Sequence, residues 1–180
     1  QSGSNKVLRQ MNRKHTIEEY LNTFYKLKEI NSKIKFSSDF IIAYPGEDNE
    51  DFNNTFNLIQ KLKFINSYSF IFSPRPGTAA ENLNLIDQKI AIKRLKKIQN
   101  ILFENQIKMN KSLENSVIDV LVENLTEDKI KTFGRSEYMT PVILDGKKAD
   151  IGKVVQVRVK QSNRNTLFGE VVTDTNQKVA

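Results

Sequence analysis

The stretch Ser37-Ser38-Asp39-Phe40-Ile41-Ile42-Ala43-Tyr44-Pro45-Gly46-Glu47-Asp48-Asn49-Glu50-Asp51-Phe52 narrows the folds open to this chain more than any other. Its first half is an apolar run rich in isoleucine and phenylalanine, too short for a helix, and reads as a buried strand. Pro45-Gly46 breaks that strand, and Glu47, Asp48, Glu50 and Asp51 crowd the first turn of the next segment. Carboxylates favour a helix N-terminus, where unpaired backbone N–H groups and the macrodipole concentrate positive charge. The unit is strand, tight turn, helix. In a parallel α/β sheet the C-terminal strand ends face the ligand, which puts Asp39, Tyr44 and the Pro-Gly turn near any chemistry. Taken alone, the unit is equally an ordinary strand-to-helix turn.

The flanking segments extend the pattern. Thr16-Ile17-Glu18-Glu19 fits a capping box, and Ile17, Tyr20, Leu21, Phe24, Leu27 and Ile30 recur at helical spacing, predicting a helix over about 17–31. The central strand is expected at about 36–42 and a second helix from about Glu50 to Lys63, burying Phe52, Phe56, Ile59 and Leu62. Ser67 to Ser73 alternates polar and aromatic residues and reads as another strand, ended by Ser73-Pro74-Arg75-Pro76-Gly77-Thr78. Asp87 can cap a long helix over about 88–111. Its inner face is expected to carry Ile90, Leu95, Ile98, Ile101 and Leu102, and its outer face Lys89, Lys93, Arg94, Lys96, Lys97 and Lys108. Strands alternating with helices argue for a parallel sheet or part of a barrel.

After Lys111 the texture changes. Val117–Val122, Ile130–Arg135, Thr140–Leu144, Val154–Val159 and Leu167–Val172 are short strand-like runs separated by turn residues such as Asp145-Gly146 and Ile151-Gly152. Five such strands suggest a small OB-like β-barrel, a fold that often presents a face to nucleic acid. The fold class is therefore α/β followed by a small all-β barrel, with a domain boundary expected near residue 112.

Composition excludes some chemistry. The chain has no cysteine and one histidine, His15, so it forms no disulfide, offers no thiolate to a metal and has no cysteine nucleophile. No apolar run reaches membrane-spanning length, and no membrane partner is expected. The net charge is +7. Residues 1–112 hold 18 Lys+Arg against 11 Asp+Glu, whereas residues 113–180 hold ten of each. The excess lies wholly in the first part. An RNA partner and ordinary solvation explain it equally well on charge alone.

Gln1-Ser2-Gly3-Ser4, Met11-Asn12-Arg13-Lys14-His15-Thr16, Ser37–Glu47 and Ser67–Thr78 occur in the order in which similar motifs occur in the radical S-adenosylmethionine methylthiotransferases. The chain resembles that family over almost its whole length. Ser67–Ser73 followed by Arg75-Pro76-Gly77-Thr78 looks most like the MiaB branch, which adds a methylthio group to isopentenyl-adenosine beside the tRNA anticodon. The tail from about 113 resembles the TRAM domain, a small RNA-binding β-barrel. The resemblance implies the later part of a radical-SAM TIM-type barrel at 1–112 and a TRAM domain at 113–176. It further implies S-adenosylmethionine and two 4Fe–4S clusters in a longer parent, tRNA as partner, a monomeric parent and a cytoplasmic location. The family's cluster cysteines precede these motifs, so the chain reads as a C-terminal part that holds no catalytic residue and does not catalyse the reaction alone. The branch acting on threonylcarbamoyl-adenosine, the branch modifying a ribosomal protein and a non-catalytic RNA-binding remnant are the other readings. The Ser67–Ser73 motif argues against the other two branches.

The same resemblance implies site residues. Gln1 and Asp39 would hydrogen-bond the cofactor's ribose, and Arg13 would pair with its methionyl carboxylate. Ser2 and Ser4 are weaker candidates for the same pocket, and Tyr44 would stack on adenine. Arg75 would reach RNA or cofactor. In the tail Phe133-Gly134-Arg135 resembles the Gly-Arg element of TRAM domains, suited to RNA by base stacking and phosphate pairing. Lys131, Lys147, Lys148, Lys153 and Arg164 would add phosphate contacts.

Overall fold

Each helix among the described residues starts on a side chain that accepts an orphan backbone N–H. Ser4 Oγ accepts from Val7 at the start of α1 (Asn5–Gln10). Thr16 and Glu19 form a reciprocal capping box on α2 (Ile17–Ile30), and Asp48 and Asp51 form another on α3 (Asn49–Leu62). Asp87 Oδ1 accepts from Lys89 and Ile90 at the start of α4 (Gln88–Ser112). A computed structural model describes residues 1–145 and 150–172. The chain divides into two units, Gln1–Asn105 and Gln106–Ala180.

In the first unit β1 (Asp39–Ile42) and β2 (Tyr68–Ile71) pair in parallel, with Asp39 opposite Tyr68 and Ile41 opposite Phe70. Alternation along the strands gives the sheet two unlike faces. Phe40 and Ile42 point into a core shared with Phe24, Phe52, Ile59, Leu62, Phe64, Ile98 and Leu102. Asp39, Ile41, Tyr68 and Phe70 form the opposite face, where Tyr68 and Phe70 remain 65% and 55% exposed. The ordered strands are shorter than the apolar runs suggest: residues 36–38 lie before the ladder, although Phe36 packs on the core.

The turn after β1 is tightly specified. Ala43 has φ +59°, in the left-handed region that a β-carbon disfavours. The Glu47 N–H then donates to the Tyr44 carbonyl across Pro45 and Gly46, and Gly46 has φ +83°. Proline second and a positive-φ glycine third define a type II turn. Two α4 assignments made from periodicity are corrected here. Ile90, expected inside, is 47% exposed, and Arg94, expected on the basic outer face, is only 8% exposed. Arg94 turns inward because Glu47 waits there. Its Nη1 donates to Glu47 Oε1 at 2.8 Å and to the Glu47 carbonyl at 2.9 Å, and its Nη2 donates to Asn49 Oδ1 at 3.0 Å.

In the second unit β3 (Val117–Leu125), β4 (Thr132–Ser136), β5 (Pro141–Asp145), β6 (Val154–Ser162) and β7 (Leu167–Val171) close into a barrel of order β3-β4-β5-β7-β6. Only the β5–β7 pair is parallel. This is the strand order of a five-stranded OB-type barrel. Val120, Val122, Val142, Leu144, Val157, Val159 and Leu167 fill its interior.

Closing so small a barrel requires sharp strand coiling, and one device supplies it twice. Gly134 lies opposite Val122, immediately before a bulge in β3, and Gly169 lies opposite Val159, immediately before a bulge in β6. A bulge bends its strand, and the facing glycine lets the two backbones close up. A Cβ on Gly169 would lie 2.5 Å from the Arg158 carbonyl oxygen and 2.6 Å from Val157 Cγ1; one on Gly134 would collide with the Leu121 carbonyl and Val120 Cγ1. Gly134→Ala and Gly169→Ala should therefore each destabilise the barrel by roughly 1–3 kcal/mol, the usual cost of overpacking, as read from denaturant unfolding.

Candidate functional site

A pocket of about 370 Å³ opens in the first unit at the C-terminal ends of β1 and β2. Arg13, Ile41, Tyr44, Phe72, Arg75 and Thr78 are among the residues that line it. Arg13 comes from the loop that leaves α1, and its N–H donates to the Leu8 carbonyl at 2.8 Å. Arg75 sits in the proline-bracketed turn after β2, held by Thr78, whose hydroxyl donates to the Arg75 carbonyl at 2.8 Å. Two exposed guanidinium groups thus border one concavity, and no ion pair among the described residues involves either. Tyr44 forms a buried wall. Its hydroxyl donates to the Gln10 carbonyl at 3.0 Å, and its ring meets Phe72 edge-on at 4.8 Å between centroids.

Gln1 lies beside Ile41, a pocket-lining residue, while Asp39 stands at the N-terminal end of β1. The Gln1 carbonyl accepts the Ile41 N–H at 3.0 Å along the edge of β1 away from β2. Asp39, on the open sheet face two residues before Ile41, opens β1 and does not line the pocket, whereas Gln1, Arg13, Tyr44 and Arg75 are gathered towards the C-terminal end of the sheet. Ser2 and Ser4 are not. The Ser2 hydroxyl hydrogen-bonds the Thr55 hydroxyl at 3.1 Å, Gly3 N–H donates to the same oxygen at 2.8 Å, and Ser4 Oγ–H donates to Asp51 Oδ1 at 2.6 Å. Gly3 has no room for a β-carbon, which would lie 2.5 Å from the Asn54 carbonyl oxygen. Ser-Gly-Ser is the seat of this segment on α3. His15 stays on the surface beside Tyr20, with ring centroids 6.3 Å apart.

The α3 entrance also holds a charge cluster that sequence reading passed over. Lys6 Nζ lies 2.8 Å from Asp48 Oδ2 and 2.7 Å from Asp51 Oδ2. The hydrogen bond from Lys6, then that from the Asp51 N–H, brings Asp48 down to about 2. Burial alone would raise Asp51. Hydrogen bonds from Lys6, Ser4 and the Asp48 N–H outweigh it and hold Asp51 below the ordinary carboxylate range.

On the barrel, Phe133 and Arg135 share the outer face of β4, with the Arg135 guanidinium carbon 5.6 Å from the Phe133 ring centroid. Arg135 Nε also pairs with Glu123 at 3.3 Å, and Lys131 Nζ with Asp145 at 3.2 Å. Lys153 is exposed, and the Arg164 side chain donates to Asn165 Oδ1 at 3.0 Å. Lys147 and Lys148 lie outside the described residues. The register adds two residues that the sequence did not flag: Ile143 faces Phe133, and Phe168 faces Ile143. All three point outward and are half-buried, making one apolar row across β4, β5 and β7. Only strand pairing across 35 residues could have shown it.

A parallel-strand α/β unit with a strand-end pocket, followed by an OB-type barrel, is the arrangement expected of a radical-SAM segment joined to a TRAM domain. The family profile described as Radical SAM superfamily matches residues 1–59, and that described as TRAM domain matches residues 111–172. A tRNA-2-methylthio-N(6)-dimethylallyladenosine synthase from Pelagibacter ubique (strain HTCC1062) is 63% identical over 180 residues, covering 100% of this chain and 40% of that protein. Proteins of the same name from Anaplasma phagocytophilum (strain HZ) and Ruthia magnifica are each 40% identical, over 98% and 96% of this chain and 41% and 39% of their own lengths. The chain belongs to the MiaB-type tRNA methylthiotransferase family and spans about two-fifths of the length of the curated relatives it matches.

The α3 entrance is directly titratable. Because Asp48 is depressed in the folded state, its share of stability is present above the ordinary unfolded value of about 4 and is lost as pH falls towards about 2. An NMR titration should place the Asp48 carboxyl near 2 in the native protein. Lys6→Gln should move it up towards the ordinary range.

Proposed function

We propose that this chain is the part of a tRNA methylthiotransferase that lines the cofactor pocket and carries the RNA-binding barrel. The enzyme adds a methylthio group to C2 of isopentenyl-adenosine beside the tRNA anticodon. The gathering of Arg13, Tyr44 and Arg75 at the C-terminal ends of parallel strands, in a chain 63% identical throughout to a protein named for that product, carries this reading. The division into a radical-SAM part at 1–112 and a TRAM part at 113–176 belongs to the same proposal; residues 173–176 lie outside the described residues.

The donor set suits S-adenosylmethionine. Arg13 can fork onto the methionyl carboxylate bidentately, and Asp39 and Gln1 can accept and donate to ribose hydroxyls. Tyr44 and Phe72 supply apolar wall for adenine, and Arg75 stands at the rim where RNA phosphate or cofactor would come within reach. When bound, S-adenosylmethionine and two 4Fe–4S clusters supply radical chemistry at an otherwise unreactive C–H bond; this chain, with no cysteine, contributes no thiolate to the clusters. Its own residues position the cofactor and hold the RNA. The reaction would take place in the cytoplasm on tRNA, with the enzyme a monomer.

On the barrel, Phe133 and Phe168 would stack on unstacked bases, and Arg135, beside Phe133, would exchange its Glu123 partner for a phosphate.

The test is nucleoside mass spectrometry of tRNA from a bacterial strain that lacks its own enzyme and expresses the full-length protein. The expected product is the methylthio derivative of isopentenyl-adenosine. Methylthiolation of threonylcarbamoyl-adenosine instead would move the protein to the sister branch, and no methylthiolation would overturn the catalytic reading. In the active enzyme, Arg13→Gln should raise the KM for S-adenosylmethionine about 10- to 100-fold, the cost of one charged hydrogen bond. Phe133→Ala and Phe168→Ala should each weaken tRNA binding by about 1–3 kcal/mol, measured by fluorescence anisotropy.

A further inference from the structure

From Gln88 to Phe103, α4 carries Lys89, Lys93, Arg94, Lys96 and Lys97 and no acidic residue; Glu104 is the first. Two of the five cations are used internally. Arg94 is buried against Glu47, and Lys97 Nζ lies 4.4 Å from the Phe56 ring centroid and 5.6 Å from that of Phe52. Lys89, Lys93 and Lys96 remain, all exposed, in no ion pair among the described residues, and spaced to form one stripe along the helix. Asp87 is the nearest acid in sequence, and its carboxylate is occupied with the helix cap.

This stripe works against the helix that bears it. Cations near a helix N-terminus oppose the macrodipole, and like charges one turn apart repel. α2 and α3 place Glu18, Glu19, Glu50 and Asp51 in their first turns, as stability favours, whereas α4 has no acid in its first turn. An arrangement that costs stability fits a surface whose partner supplies the missing negative charge. The barrel is not such a surface. Residues 113–180 carry equal numbers of cations and anions, and Lys131, Arg135 and Lys160 are each already paired with a carboxylate.

We infer that Lys89, Lys93 and Lys96 form a phosphate-binding ridge that carries the salt-dependent part of tRNA binding, separate from the stacking row on the barrel. The inference rests on the tRNA reading above. It is tested in the full-length protein by measuring tRNA affinity against potassium chloride concentration for the unsubstituted protein, a K89Q/K93Q/K96Q variant and a K89R/K93R/K96R variant. Each neutralised phosphate contributes about 0.7–0.9 to the slope of log affinity against log salt, so the glutamine variant should lose about 2–3 from that slope and the arginine variant should keep it. The glutamine variant should melt no lower than the unsubstituted protein, because it loses only repulsion. An unchanged slope with tRNA still bound overturns the ridge and leaves the enzyme reading intact. No tRNA binding by the unsubstituted protein overturns both, as would binding of its lysine stripe to phosphatidylserine vesicles in place of tRNA.

Discussion

The first unit depends on a buried ion pair. Glu47 Oε1 takes both the Arg94 guanidinium at 2.8 Å and the Ala43 N–H at 3.2 Å, while Oε2, also buried, has no hydrogen-bond partner among the described residues. Burial pushes the Glu47 carboxyl upward, and the Arg94 charge pulls it back. A carboxylate so placed is costly without its cation, since removing one member of a buried pair leaves an uncompensated charge. In return the pair ties the long helix α4 to the turn that closes β1. Ala43 is kept in its left-handed conformation and Tyr44 in the wall of the strand-end pocket. The turn's geometry is set by proline and glycine, but its place in the unit is set by Arg94.

Much of this was open to a reader of the sequence, for reasons that differ by element. Thr16 and Glu19 announce a helix start because a capping box is local, needing only four consecutive residues. The five barrel strands were legible because short strand-like runs and the turn residues between them are local too. Arg94 was misplaced because a helical repeat cannot tell a buried cation from an exposed one when its partner lies 47 residues away. Ile90 was misplaced by the same rule in reverse, as an apolar residue in the first turn of a helix whose packing begins at Ala91. Likewise Ser2 and Ser4, chemically suited to a ligand, are committed to Thr55 and Asp51, contacts that only the packing of α3 reveals.

The candidate site divides along similar lines. Arg13, Tyr44 and Arg75 come from three separate loops, and nothing in their spacing shows that they share a pocket; the parallel pairing of β1 with β2 brings them together. On the barrel, Phe133 and Arg135 were visible as neighbours two apart on a strand, whereas Ile143 and Phe168 join them only through register. Charge behaves differently again. The totals located the positive excess before residue 113, yet most of what decides its use is which cations have partners: Arg94 and Lys97 are spent on packing, and three lysines are not.

The paired glycines of the barrel have a bearing on how such a domain can change over time. Gly134 and Gly169 each sit under a carbonyl of the neighbouring strand with no space for a methyl group. These two positions leave no room for a side chain, and the valines they face, Val122 and Val159, are fully buried. The outward residues between them meet no such limit. A change in what the barrel presents to a partner therefore has the outer wall to work with, because the waist has no space to give.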